Sequence, residues 1–293
     1  MKSPALETLF FCFGPPKSGT TLLQRILDTH PEVACPSEHQ FAFLHNGFAT
    51  LFNNYHNLLQ TVDKRTGRQG ATVIDPDTMT RIFTYSIRAI IRHAARGKPI
   101  MGANDNTILK NLDLYARLFE SPPMIAIFRN PIDVGISSWH HNLRLAEEEG
   151  PEHKELVMKY GGFEGWLKQT ARWFTNGVDA FKSYTEKHDN TLLVRYEDLV
   201  SNKTTVLEQI FTFLGASTHS DIIGNIVEAT SFTSMKNSSS RPGFFRVAST
   251  TFGAGEVSDS LRAEIADIAA PGLEYVGYDV ISSRLSQNAQ QGG

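Results

Sequence analysis

Five consecutive residues near the start of the chain have the chemistry of an anion-binding loop. Lys17, Ser18, Gly19, Thr20 and Thr21 follow an apolar run and precede a stretch in which Leu and Ile recur at helical spacing. A loop between a strand and a helix turns several backbone N–H groups toward one point, and the helix N-terminus adds positive potential there. The stretch therefore predicts an anion site, most naturally a phosphate site.

A second group of residues suited to phosphate lies far along the chain. Arg129 ends the apolar run 124–128, and Ser137 follows about two helical turns later. A guanidinium group donates a forked pair of hydrogen bonds that suits phosphate, and a serine hydroxyl adds a further donor. Two phosphate sites predict a ligand with phosphates at both ends of a ribose.

The first loop differs from the Walker A motif, in which lysine follows the second glycine and the next hydroxyl binds Mg²⁺. Here Lys17 precedes Gly19 by two positions, and Thr20 and Thr21 follow that glycine. We also find no clear strand that ends in Asp, as a Walker B motif would. The sequence predicts that the backbone and Lys17 hold the phosphate without a metal, which disfavours a plain P-loop kinase.

Apolar strands that alternate with helices position these loops. Strands are predicted at 9–13, 124–128 and 192–194, and each runs into polar residues. The alternation predicts an α/β fold of three α/β/α layers, with a central parallel sheet and a P-loop-like phosphate-binding loop. Ligands in such sheets bind at the carboxyl ends of the strands. The two phosphate loops and the loop at Tyr196 should then share one edge.

Other stretches are less regular. Residues 41–59 are rich in Phe and Asn and predict short helices or a lid, and 61–72 predict a polar loop. Asp75 and Pro76 predict a helix start. No repeat or linker divides the chain, so we expect one domain over residues 1–293, with a frayed polar tail at 286–293.

Composition excludes several classes of protein. The balance of 28 Lys and Arg against 31 Asp and Glu gives no basic face for nucleic acid. Two Cys residues cannot build a disulfide framework, which fits a reducing compartment. No apolar stretch is long enough for a signal peptide or a membrane span. We expect a soluble cytoplasmic protein with a small-molecule partner and no membrane or nucleic-acid partner.

Four segments resemble, in the same order, motifs of the sulfotransferases that use 3′-phosphoadenosine 5′-phosphosulfate. Residues 16–21 resemble their 5′-phosphosulfate loop, and the run from Arg129 to Ser137 resembles their 3′-phosphate motif. Residues 195–199 are similar to a segment after the third strand of that core, and residues 230–237 resemble the adenine-side segment. The resemblance spans residues 9 to about 250 and implies this donor as co-substrate, without a metal.

The resemblance implies a role for each matched phosphate ligand. Lys17 would contact the bridging oxygen between the sulfuryl group and the 5′-phosphate. The N–H groups of Ser18 to Thr21 would hold the 5′-phosphate. Arg129 and Ser137 would bind the 3′-phosphate. Positioning and electrostatics would then carry most of the catalysis.

The nucleotide's other end is matched less fully. Tyr196 and Phe232 would lie near the adenine. The family also has a basic loop with a Trp that folds over the nucleotide, and this chain lacks that Trp. Arg241 and Arg246 are both candidates for the arginine of this loop.

The acceptor's proton needs a base. Cytosolic members of the family use a His after a strand, but the matching region 101–106 contains none. Branches that act on glycans and on tyrosine use a Glu shortly after the first helix, and Glu38 fits that pattern. His39 has the more suitable ordinary pKa, and Asp105 is a third candidate.

We therefore predict an enzyme that transfers a sulfuryl group to a hydroxyl of a small molecule or metabolite, with an amine acceptor left open. The segments of about 36–97 and 141–185 would cover the acceptor, which suggests an acceptor with an apolar part. Two alternatives are a P-loop kinase of a small metabolite, which would need ATP and Mg²⁺, and a non-catalytic nucleotide-binding module.

Overall fold

A parallel sheet forms the centre of the molecule. The computed structural model describes residues 8–36, 38–67, 74–238 and 255–279, without the side chains of 236–238. Within that part, five strands pair in the order β2-β3-β1-β4-β5, and every pairing is parallel. The strands are β1 Thr8–Phe13, β2 Val33–Ala34, β3 Ile100–Asn104, β4 Met124–Phe128 and β5 Thr191–Arg195.

Helices connect and cover the strands. They are α1 Thr20–Thr29, α2 Phe41–Thr66, α3 Pro76–Ala95, α4 Leu112–Phe119, α5 Pro131–Glu148, α6 Glu152–Met158, α7 Gly162–Thr185, α8 Tyr196–Ser201, α9 Lys203–Leu214, α10 Ser220–Ala229, α11 Phe232–Ser238 and α12 Asp259–Val276, with a 3₁₀ turn at Ile108–Lys110.

The sheet buries both faces, which is why its central strands are almost continuously apolar. Alternate residues of β1 point to opposite sides, so Phe11 joins one core and Phe10 the other. Helices α3, α4, α5, α7 and α12 pack on the first side, and α1, α9 and α10 pack on the second. The predicted three-layer α/β fold is confirmed.

The connections after β1 and β4 leave the sheet toward opposite faces. The chain after β1 enters α1 on one side, whereas the chain after β4 enters α5 on the other. Diverging connections from neighbouring strands open a crevice at their carboxyl ends, where ligands of such sheets bind.

The Phe- and Asn-rich segment is organised differently from the prediction. Residues 41–66 form the single helix α2 instead of short helices, and the expectation of a polar loop from residue 61 was wrong. The helix continues until Gly67, which ends it at φ 70°. The predicted start of α3 is confirmed, since Asp75 accepts a hydrogen bond from the Thr78 N–H at 2.8 Å and Pro76 opens the helix.

Candidate functional site

The loop after β1 forms a tight turn that delivers the chain into α1. The Ser18 N–H donates to the Pro15 carbonyl at 3.1 Å, and the Ser18 hydroxyl donates to the same oxygen at 2.5 Å. Lys17 and Gly19 both have positive φ, at 72° and 98°. No side chain caps the start of α1. The first N–H groups of that helix therefore lack a side-chain cap, which is the arrangement that an anion-binding helix start requires.

The turn lies close against the neighbouring strand. A Cβ atom built on Gly14 would lie 2.3 Å from the Ile127 carbonyl oxygen of β4 and 2.7 Å from the Ser18 hydroxyl. Gly14 is therefore needed for the close approach of the loop to β4, the strand that leads to Arg129.

Arg129 follows β4, and a helix starts two residues later. The Asn130 side chain accepts a hydrogen bond from the Ile132 N–H at 3.0 Å, and Pro131 occupies the first turn of α5. This cap fixes the direction in which the chain leaves β4. Arg129 is only 8% exposed, and Ser137 lies half-buried in the second turn of the same helix.

The ring of Tyr196 joins the two predicted phosphate loops. A Cβ atom on Gly19 would lie 2.4 Å from Cδ2 of Tyr196, so the ring lies directly against the first loop. The Arg129 guanidinium carbon lies 4.4 Å from the centre of the same ring. The three segments that the sequence placed at one edge are therefore in contact through one aromatic side chain.

Buried and partly buried ionisable groups surround Arg129. Burial raises the pKa of Asp133 to about 7, while Arg129 and Arg262 lower it and Glu197 raises it further. Burial also raises the pKa of Tyr196, against the effect of Arg129. Arg129 thus lies in a cluster of ionisable groups with little access to solvent, where its charge is weakly screened.

Sequence reasoning missed the part that Glu197 plays in this cluster. Its Oε1 accepts a hydrogen bond from the Asn130 N–H at 3.1 Å, and its Oε2 accepts one from the Tyr278 hydroxyl. Glu197 directly follows Tyr196 just after β5, so its position in the sequence could have indicated that it lies near the arginine loop. No sequence pattern around Tyr278 indicates its contact with Glu197, because Tyr278 lies beyond α12 and far from Glu197 along the chain.

Glu38 reaches the same sheet edge through β3. Asn104 pairs with Cys12 of β1 and forms an isolated parallel bridge to Glu38. The Asn106 side-chain amide donates to the Glu38 carboxylate at 2.9 Å. Glu38 is exposed to solvent on one side. The surrounding protein removes part of the hydration of its carboxyl group, and Asp105 lies nearby. Both effects raise the pKa of Glu38.

The two other candidates for the base differ from Glu38 in their surroundings. His39 stacks on Phe41 with ring centres 4.7 Å apart, and desolvation lowers its pKa. Asp105 is fully buried, and its carboxylate accepts hydrogen bonds from the Phe41 N–H at 2.7 Å and from the Thr107 N–H and hydroxyl at 2.8 and 2.6 Å. The bond from Phe41 ties Asp105 to the start of α2, and the bonds from Thr107 hold it within its own loop.

The adenine-side candidates lie on the α1 side of the sheet. Phe232 is the first residue of α11, which follows α10, and α10 packs on α1. Arg241 and Arg246 lie outside the described residues, as does the tail 286–293. In the described part of the chain, no group of three or more His, Cys, Asp or Glu could hold a metal ion, and no helix is long and apolar enough to cross a membrane.

A parallel α/β sheet with an uncapped helix start after its first strand and a buried arginine after the adjacent strand has the architecture of the P-loop type. The chain belongs to the sulfotransferase family, whose sequence profile, Sulfotransfer_3, matches residues 10–220. The resemblance to the sulfotransferases is thereby confirmed, although the adenine-side segment 230–237 lies beyond the matched residues.

Curated relatives match parts of the chain. A 3-beta-hydroxysteroid sulfotransferase of Cavia porcellus is 30% identical over 131 residues, which are 43% of each chain. Protein-tyrosine sulfotransferase 1 of Danio rerio is 22% identical over 206 residues, 70% of this chain and 52% of that protein. The aligned regions therefore span about half the length of these relatives or less.

Solved structures share the fold across almost the whole chain. A mouse sulfotransferase, SULT7A1, solved in complex with PAP, superposes with a TM-score of 0.58 at 17% identity and covers 95% of this chain and 94% of its own. The sulfotransferase domain from the curacin biosynthetic pathway gives a TM-score of 0.53 at 14% identity, with coverage of 94% and 99%.

Proposed function

We propose that this protein transfers a sulfuryl group from 3′-phosphoadenosine 5′-phosphosulfate to the hydroxyl of a small molecule. The observation that carries the proposal is the contact of both phosphate loops with the Tyr196 ring. That contact puts an uncapped helix start and a buried arginine at one edge of the sheet. The membership of the sulfotransferase family and the PAP in the mouse structure support the choice of donor.

The roles follow from the chemistry of each group. Lys17 stabilises the charge that develops on the bridging oxygen as the sulfuryl group leaves, and the N–H groups of Ser18 to Thr21 hold the 5′-phosphate. Arg129 and Ser137 bind the 3′-phosphate. No metal is required, because lysine and backbone donors neutralise the leaving phosphate.

The adenine end of the donor is assigned by resemblance. Tyr196 and Phe232 are proposed to lie beside the base. Arg241 and Arg246 are proposed as alternatives for the residue that closes over the nucleotide.

Glu38 is proposed as the general base. The S–O bond to the bridging oxygen breaks, and its electron pair stays on the 5′-phosphate. The acceptor oxygen forms the new S–O bond, and its proton passes to Glu38. A raised pKa suits a carboxylate to this task, and the hydrogen bond from Asn106 orients it. His39 is the alternative. Asp105 is less suited because its oxygens already accept bonds from the start of α2 and from Thr107.

The acceptor is proposed to carry an apolar part. Helix α2 begins three residues after Glu38 and presents large exposed apolar side chains, including Phe43, which is 81% exposed, and Leu51. Steroids are among the substrates that the names of the relatives suggest. A panel of sterols, phenols and simple alcohols therefore covers the relevant chemistry.

The test is transfer of labelled sulfuryl from the donor to this panel, with and without EDTA. The wild-type protein should be active in EDTA, and Lys17→Ala should abolish most of the turnover. Turnover that requires ATP and Mg²⁺ instead would establish a kinase. Unchanged turnover in Lys17→Ala would contradict the assignment of the site.

A matched pair of variants tests the base. Glu38→Gln should lower kcat by about 10²- to 10⁴-fold, the contribution typical of a general base, with little change in donor affinity. Glu208→Gln removes the same charge from the exposed surface of α9 and should leave kcat unchanged. An unaltered kcat in Glu38→Gln would move the role to His39.

A further inference from the structure

The C-terminal end of α12 is attached to the chain segment that follows β5. The helix ends at Gly277 with φ 84°, and the N–H groups of Gly277 and Tyr278 donate to the carbonyls of Glu274 and Leu273 at 3.1 and 2.8 Å. This pair of bonds is a Schellman motif, which ends the helix and turns the chain at Gly277.

Arg195 holds this helix end in place. Its guanidinium group donates to the Gly277 carbonyl, lies 4.9 Å from the centre of the Tyr278 ring and pairs with Asp198 at 3.0 Å. The carbonyl at the end of a helix has no partner within the helix, so Arg195 satisfies a group that would otherwise need water. The Tyr278 ring is thereby directed toward Glu197.

Glu197 then connects the helix end to the arginine loop. A carboxylate accepts hydrogen bonds and donates none, and here each oxygen has a different donor: the Asn130 N–H at one, the Tyr278 hydroxyl at the other. Asn130 is the residue after Arg129 and caps α5. The orientation of one carboxylate therefore fixes the backbone from which the Arg129 side chain emerges.

We propose that Tyr278 and Glu197 are positioning residues for recognition of the 3′-phosphate. The inference rests on the proposed function, in which Arg129 binds that phosphate. Tyr278 holds Glu197 on the Asn130 N–H, and in that position Glu197 orients the start of α5. Without the Tyr278 hydroxyl, the carboxylate is able to rotate toward the guanidinium of Arg129 and to compete with the phosphate for its charge.

The test compares two nucleotides that differ by the 3′-phosphate alone. Titration calorimetry measures the binding of adenosine 3′,5′-bisphosphate and adenosine 5′-phosphate to the full chain. Tyr278→Phe should weaken the bisphosphate about tenfold, the value of one hydrogen bond to a charged group, and should change the monophosphate less than about twofold. Glu197→Gln keeps an acceptor for the Asn130 N–H but removes the charge that would compete with the phosphate, so it should weaken the bisphosphate less than Tyr278→Phe does.

Tyr275→Phe is the matched control. It removes a tyrosine hydroxyl from the same end of α12, where Tyr275 bonds Thr185 at 2.9 Å away from the arginine loop. This variant should keep the wild-type preference for the bisphosphate. Melting temperatures of all variants separate a loss of fold from a loss of selectivity.

The outcomes distinguish the two proposals. If the wild-type protein binds both nucleotides equally, the proposed function fails. If the wild type prefers the bisphosphate and Tyr278→Phe keeps that preference, or weakens both nucleotides by the same factor, the positioning role is refuted while the proposed function stands.

Discussion

Replacing Gly19 by alanine should damage both the stability of the protein and the contact between the two phosphate loops. The new Cβ atom would lie 2.4 Å from Cδ2 and 3.0 Å from Cε2 of Tyr196, so the ring has to move. The same ring lies under the Arg129 guanidinium. A displaced Tyr196 therefore changes the support of Arg129 as well as the shape of the loop.

Two contributions determine how much Gly19→Ala destabilises the protein. Holding an L-residue at φ 98° costs about 1–2 kcal/mol, since its Cβ approaches the backbone too closely. Forcing an extra methyl group against a packed ring costs about 1–3 kcal/mol more. We expect Gly19→Ala to lower the free energy of unfolding by about 2–5 kcal/mol in total.

Urea unfolding of a double-mutant cycle separates the two terms. Tyr196→Ala removes the ring, so the double variant should be more stable than the sum of the single variants predicts, by about 1–3 kcal/mol. The control is Gly47→Ala in α2, where a Cβ meets nothing within 4 Å, and it should gain about 0.5–1 kcal/mol. Additivity within about 0.5 kcal/mol for the Gly19 and Tyr196 pair would refute the contact.

Two further variants test the surroundings of the site. The pKa of Asp133 lies well above its ordinary value, at about 7, so the folded protein binds an extra proton between about pH 4 and 7 and loses stability as the pH rises through that window. Asp133→Asn should remove this pH-dependent part of the free energy of unfolding, up to about 4 kcal/mol. If the stability lost between pH 5 and pH 8 is the same in the variant and in the wild type, the prediction is contradicted. Lys98 donates to the carbonyls of Asp28, His30 and Val33 at 2.7–3.0 Å. Lys98→Met should cost about 2–3 kcal/mol in urea unfolding, whereas Lys187→Met, at an exposed position, should cost almost nothing; equal losses would show that the carbonyl contacts do not matter.

Local chemistry was sufficient to predict the loops. The glycine and hydroxyl residues after β1 and the arginine after β4 mark these loops through backbone geometry and charge that each segment carries itself. Their meeting at one edge follows from the parallel sheet, which the alternation of strands and helices already predicted. The start of α3 was predictable for the same reason, because Asp75 and Pro76 form a cap within their own turn.

Helix α2 shows where a local prediction failed. Its apolar residues do not mark a single buried face, since Phe41 is buried while Phe43 and Leu51 are exposed. Periodicity therefore gave no clear indication of one long helix. Part of the reason that this helix starts where it does is the Asp105 carboxylate, which accepts from the Phe41 N–H across 64 positions of the chain.

The sequence by itself determined the fold class, the family and the positions of the two loops that we propose to bind phosphate, because each depends on short-range geometry or on the order of motifs along the chain. Only the tertiary structure showed that the Tyr196 ring lies between Gly19 and Arg129, and that Tyr278 reaches the arginine loop through Glu197. Hydrogen bonds and ring contacts act over a few ångströms of space, and the partners here are distant in sequence. Packing of α12 against α7 and α5 brings them within reach.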